Sequence, residues 1–160
     1  MAHRDAGAER DRDLAALRHS LRDVVALTML PTVWAAYEPP QICVDLVDVI
    51  CRLIDVDGVY LIAPSNGCSE ILKLKREDDR ETERRLRAVI AQPPNGSVQA
   101  AAGSAEPDLR LLTFALSAQA TDRIAVAARR PGFPTEIERL ILRVAANQAS
   151  TWLGWKRAEA

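Results

Sequence analysis

The sequence predicts one α+β domain, an antiparallel sheet of about five strands carrying helices. Three observations support this. "GVYLIAPSNGCSEILKLKR" holds two β-rich runs around Asn66-Gly67. "LRLLTFALS" and "RIAVAARR" form a second pair of runs around "AQATD". The stretch from Thr135 onward reads as one long helix with a polar strip too narrow for a surface position.

Length and composition set the frame. A chain of 160 residues, 48% apolar and 27% charged, is the size and polarity of a single globular core. The net charge of −1 comes from interleaved acidic and basic residues, which argues against a nucleic-acid surface. No apolar run approaches the roughly 20 residues that span a bilayer. The opening "MAHRDAGAERDRD" lacks an apolar signal core, so the expected location is cytoplasmic. Three cysteines, Cys43, Cys51 and Cys68, do not make a disulfide framework.

Residues 1–12 are read as a charged, flexible or weakly helical extension, and 13–160 as the domain. Leu14, Leu17, Leu21, Val24 and Thr28 then recur at spacings of three and four, a short heptad-like stripe. Pro31 permits a kink, and Pro39-Pro40 close the segment. "QICVDLVDVICRLIDVD" is helical, with Ile42, Leu46, Val49, Ile50 and Leu53 on one face and Cys43 and Cys51 on the apolar arc. Asp48 and Arg52 are spaced to pair along it.

Asn66-Gly67 predicts a type I′ hairpin turn. A charged helix follows over roughly 78–92, and "PPNGSVQAAAGSAEPD" is a small-residue connection with room for a short strand. "LRLLTFALS" is apolar on both alternating sets, which predicts a central strand covered on both faces. Thr135 and Glu138 fit a capping box at the start of the last helix. Ile137, Leu140, Ile141, Val144, Thr151 and Trp155 fall on one side of that helix, and Leu142, Ala146, Ala149 and Leu153 on another. This predicts contacts on two flanks, one with the sheet and one with another helix. The second contact is either within the chain or a dimer seam.

Particular stretches carry a family likeness. "LPTVWAAYEPPQICVDLVDVICRLIDVDGVYLIA" resembles the amino-terminal half of GAF domains found in bacterial sensor histidine kinases. "DRIAVAARRPGFPTEIERLILRVAANQASTWLGWKRAEA", with its core "FPTEIERLILRVAANQ", is similar to their last strand and helix. Together they cover about half of the chain, and the region from Glu70 to Ser117 matches in layout only. The likeness implies a GAF-like, PAS-related plan, with terminal helices on one sheet face and a helix and loops on the other. It also implies a regulatory module in two-component signal transduction, upstream of PAS and kinase domains. Such modules dimerise through terminal helices and relay a conformational bias along them. Any kinase activity would reside in a separate domain, and the chain reads as an excised input domain or a short stand-alone relative.

Some GAF domains carry ligand-binding or catalytic signatures of their own. The Asn-Lys…Phe…Asp-Glu signature of cyclic-nucleotide binders is absent. Bilin attachment needs a cysteine followed by histidine, whereas Val44, Arg52 and Ser69 follow the three cysteines. His3 and His19 lie in the leading segment, remote from any pocket, so no haem is expected. No metal-ligand cluster and no catalytic set is assignable. A ligand pocket would lie between the sheet and the 78–92 helix, with Tyr60, Phe114 and Arg129 as candidate lining residues. Leu14, Leu17, Leu21, Val24, Trp152 and Trp155 are the candidate homodimer surface. Two further readings stand beside the sensor. One is a ligand-free dimerisation scaffold whose pocket is filled by side chains. The other is a cysteine-dependent methionine sulfoxide reductase, which requires an accessible Cys68.

Overall fold

The computed structural model describes residues 2–94, 99–100, 108–118 and 121–160. Helix α1 runs over Ala2–Trp34, so residues 2–12 continue the leading helix. It passes through Pro31 and stops at a short turn. Pro39 is the first residue of α2 (Pro39–Leu53), where a proline's missing amide costs nothing. The Gln41 side chain accepts from the Glu38 amide at 2.9 Å and secures that start. Asp48 takes Lys73 of the sheet as its partner at 2.6 Å rather than Arg52.

Strands β1 (Gly58–Ala63) and β2 (Cys68–Leu74) are antiparallel, as are β4 (Arg110–Ala115) and β5 (Arg123–Ala128). A two-residue strand β3 (Gln99–Ala100) pairs with Leu111 and Arg110. The sheet order is β2-β1-β5-β4-β3. The sheet is therefore four full strands with only a minimal, two-residue fifth at its edge, slightly less than the about five full strands the sequence implied. The expectation for β4 needs a second correction. Leu111 and Leu112 face opposite cores, so both faces are covered, but its outer neighbour is only the two-residue β3. The interior strands are β1 and β5, and every β5 residue after Arg123 is buried.

The β1–β2 connection also differs from a type I′ turn. Pro64–Asn66 form a single 3₁₀ turn, and only Gly67 has positive φ, at 74°. Proline pre-sets φ near −65°, which favours that turn and leaves the left-handed position to glycine alone.

Alternation along the strands separates two cores. Val59, Leu61, Leu112, Ile124, Val126 and Ala128 face α1, α2 and the last helix, α4 (Glu136–Glu159). Tyr60, Leu111, Ala125 and Ala127 face α3 (Arg80–Ile90). Gly58 lets α3 approach closely, since a Cβ there would lie 2.9 Å from Leu74 Cδ2 and from Leu86 Cδ1. The α4 capping box forms as read, with the Glu138 amide donating to Thr135 Oγ1 and the Thr135 amide to Glu138 Oε1. Only one flank of α4 is fully covered. Leu142, Ala146, Ala149 and Leu153 are buried, whereas Ile137, Leu140 and Trp155 are exposed.

Candidate functional site

The clearest constellation of polar groups sits where β5 ends and α3 begins. Arg129 follows the last residue of β5, and Asp79 precedes the first residue of α3. The Arg129 guanidinium donates to both oxygens of Asp79, at 2.6 and 3.0 Å. Its backbone amide donates to Asp57 Oδ2 at 2.7 Å. Asp79 also caps α3, accepting from the Thr82 amide at 3.1 Å and from its hydroxyl at 2.6 Å. With Asp57, Arg76, Asp78, Arg80 and Glu81 these residues line a cleft of about 500 Å³. That volume lies within the range of small-molecule sites, about 300–1,000 Å³.

The hydrogen bonds from Arg129, with those from Thr82, hold the Asp79 carboxyl well below the usual carboxylate range despite its partial burial. A carboxylate favoured in the folded state stabilises fully above its unfolded pKa of about 3.9 and loses that contribution as pH falls towards the folded value. Asp79→Ala removes a helix cap and strands a half-buried arginine, so a loss of about 2–3 kcal/mol is expected at pH 7. The gap between variant and wild type should narrow as pH drops from 5 to 2. Urea unfolding at three pH values checks this, and a gap that stays constant would remove Asp79 from the account.

Two more arginines fasten α3. Arg87 Nη1 donates to Glu70 Oε2 at 2.9 Å and to the Tyr60 hydroxyl at 3.1 Å, and its guanidinium carbon lies 5.0 Å from the Tyr60 ring centre. The Tyr60 hydroxyl donates to Glu70 Oε2 at 2.8 Å. Arg123 Nη1 donates to the carbonyls of Ile90 and Gln92, each at 2.8 Å, which satisfies acceptors at the end of α3. The sequence shows this segment only as a charged helix, and its spacing does not reveal the clamps. The usable signal was Arg123 and Arg129 bracketing an otherwise apolar strand.

The three expected pocket residues do not share one cavity. Tyr60 belongs to the α3 side, where it packs with Leu86, Val89 and Ile90. Arg129 lines the charged cleft. Phe114 packs on the opposite face, against the terminal-helix core. Within "PPNGSVQAAAGSAEPD" the short strand is β3, and residues 95–98 and 101–107 lie outside the described residues.

Leu14, Leu17 and Leu21 are exposed along α1. Val24 is half-buried, and the neighbouring Val25 takes the outward position instead. Trp152 packs partly into the core, and Trp155 is exposed and meets it edge-on at 5.1 Å between ring centres.

Cys68, whose accessibility the reductase reading requires, is buried. Burial, then the neighbouring Cys68 and Asp122, pushes the Cys43 thiol up to about 12, and burial also raises Cys68. Thiols held protonated and out of solvent are poor nucleophiles, contrary to what the reductase reading required. Among the described residues no group of three or more His, Cys, Asp or Glu side chains could hold a metal ion. No described helix is long and apolar enough to cross a membrane.

No protein-family model and no curated protein matches the sequence. Among solved structures, the chain is similar to the GAF domain of a candidate sensor histidine kinase from Pseudomonas syringae pv. tomato. The TM-score is 0.58 at 16% identity, over 94% of this chain and 95% of that one. The likeness runs over nearly the whole of both chains, and the chain has the GAF fold.

Proposed function

We propose that the chain is a sensory GAF module of bacterial signal transduction, cytoplasmic and homodimeric through its terminal helices. A small polar molecule or a partner's side chain is sensed at the cleft beside α3, and the output domain is a PAS or kinase module. The observation that carries this reading is the Arg129–Asp79 pair, which lines the cleft and also anchors α3 to the sheet. An anionic group that engages Arg129 competes with Asp79 for the guanidinium. Binding then loosens the cap of α3, giving the ligand different affinities for clamped and unclamped arrangements, as any relay requires.

Native mass spectrometry of the chain purified from its own host tests this. A bound mass on the wild type that is lost in Arg129→Gln is the expected result. A bare wild-type chain overturns the ligand half of the reading.

The scaffold reading has an observation of its own. The layer between α3 and the sheet is filled by Tyr60, Leu86, Val89, Ile90, Leu111, Ala125 and Ala127. A bare mass with an intact dimer would favour it.

A further inference from the structure

Three contacts set α2 along the edge strand β2. A Cβ at Gly67, the residue before β2, would lie 3.9 Å from Pro40 Cγ at the start of α2. Further on, Asp48 accepts from Lys73 at 2.6 Å. Between these two, the Cys43 thiol donates a hydrogen bond to Cys68, the first residue of β2. Both cysteines belong to the core under α2, and its close packing keeps the two sulfurs together.

The pair sits at a junction. α2 is tied to α1 by Trp34 Nε1, which donates to Asp45 Oδ2 at 2.7 Å. The turn before Cys68 is tied to Asp122, the residue before β5, which accepts from Ser65 and Asn66. The helical layer and the sheet therefore meet at these two thiols.

The two cysteines are not equivalent. Cys43 has no exposed surface, and burial, Cys68 and Asp122 all disfavour its thiolate. Cys68 keeps 8% of its surface exposed. Burial raises its thiol, and the hydrogen bond from Cys43 opposes that by favouring the thiolate. Cys68 is thus the sulfur that ionises and meets an oxidant.

We infer that Cys43 and Cys68 are a dithiol–disulfide switch that fastens α2 to the edge of the sheet when the chain is oxidised by a peroxide. The Cys68 thiolate takes one oxygen of hydrogen peroxide, becomes a sulfenic acid and releases hydroxide. The Cys43 sulfur then attacks the Cys68 sulfur and the S–O bond breaks. The hydroxyl leaves as water with the Cys43 proton. Two thiols are oxidised, one peroxide is reduced, and the products are one disulfide and two waters. Burial slows the first step, which suits a stoichiometric switch and not a reductase that turns over. A dithiol reductant reverses the bond by exchange. Cys51 lies about two turns further along α2, beside Lys73, and takes no part. The switch needs no ligand and stands apart from the reading of the cleft.

The test is oxidation of the full chain, purified under reductant, with a slight excess of hydrogen peroxide. Free thiols are then counted by maleimide labelling in urea, and peptides are mapped by mass spectrometry. The wild type should fall from three thiols to one, and Cys51→Ser from two to none. In Cys51→Ser the linked peptides can only be those of Cys43 and Cys68. The urea midpoint should rise by about 1–2 M on oxidation and return with dithiothreitol. Cys43→Ala should lose that shift, and Cys51→Ser decides the pairing even where Cys43→Ala does not fold. Three thiols that remain countable after oxidation overturn the inference. A cross-link between chains, or a loss of thiols that dithiothreitol does not reverse, overturns it too. Linked peptides without a higher urea midpoint overturn the fastening of α2.

Discussion

Trp34→Ala is expected to lower the unfolding free energy by about 4–5 kcal/mol, the largest single loss in the chain. Trp34 is the largest side chain with no exposed surface, and it sits where the end of α1 meets the core shared with α2 and α4. Truncating a buried tryptophan removes its transfer term and leaves a cavity that neighbours fill only in part. The indole also donates to Asp45 Oδ2 at 2.7 Å, tying α1 to α2 through a bond with a charged acceptor. Domains of this size are stable by only about 5–15 kcal/mol, so the variant should lose a large share of its stability.

Trp34→Phe separates the two contributions. It keeps most of the apolar contact and loses the bond, for an expected cost of about 1–2 kcal/mol. Urea titrations followed by circular dichroism give both numbers. A loss under 2 kcal/mol for the alanine variant would mean that the core closes over the vacated space, contrary to its packing here.

Asp122→Ala should cost about 3–4 kcal/mol, although the residue contributes almost no apolar contact. Its carboxylate has no exposed surface and accepts from the Ser65 amide at 3.2 Å, the Ser65 hydroxyl at 2.9 Å and Asn66 Nδ2 at 2.7 Å. Removing the acceptor strands these donors, and Asn66 is only 5% exposed. The Asn66 carbonyl oxygen already lacks a partner, so the variant leaves that amide with neither end satisfied. Asp122→Asn keeps the shape but turns a donor towards donors, and should recover less than half of the loss. Hydrogen exchange adds a spatial signature, since amides at Gly67 and Cys68 should open before those of β5. A loss within 1 kcal/mol, with unchanged exchange at the turn, would show that the 3₁₀ turn holds without its anchor.

Asp122 also marks a boundary of what a sequence can show. Nothing in "AQATDR" announces that its aspartate reaches back 57 positions to Ser65. The Asn66-Gly67 signal was read as a local hairpin turn. Once Pro64 and the distant carboxylate act together, only Gly67 needs positive φ. Arg129 and Asp79 are separated by 50 positions, and no local pattern distinguishes that clamp from a solvated charge. Cys68 follows a turn, where exposure is the ordinary outcome, yet it is buried beside the Cys43 thiol of α2.

Local spacing by itself determined the helix-and-strand order, both hairpins and the capping box at Thr135. Each of these depends on neighbours within a turn or two, where spacing is geometry. Tertiary structure alone decided which face of the sheet receives Tyr60 and which receives Phe114, which flank of α4 is covered, and which carboxylates meet which arginines. Those outcomes depend on strand register and on side chains far apart in the chain, and a shift of register by one residue exchanges the two faces. The leucine stripe of α1 belongs to both levels. Its spacing is readable from residue order, but only the folded domain shows that it turns away from its own core.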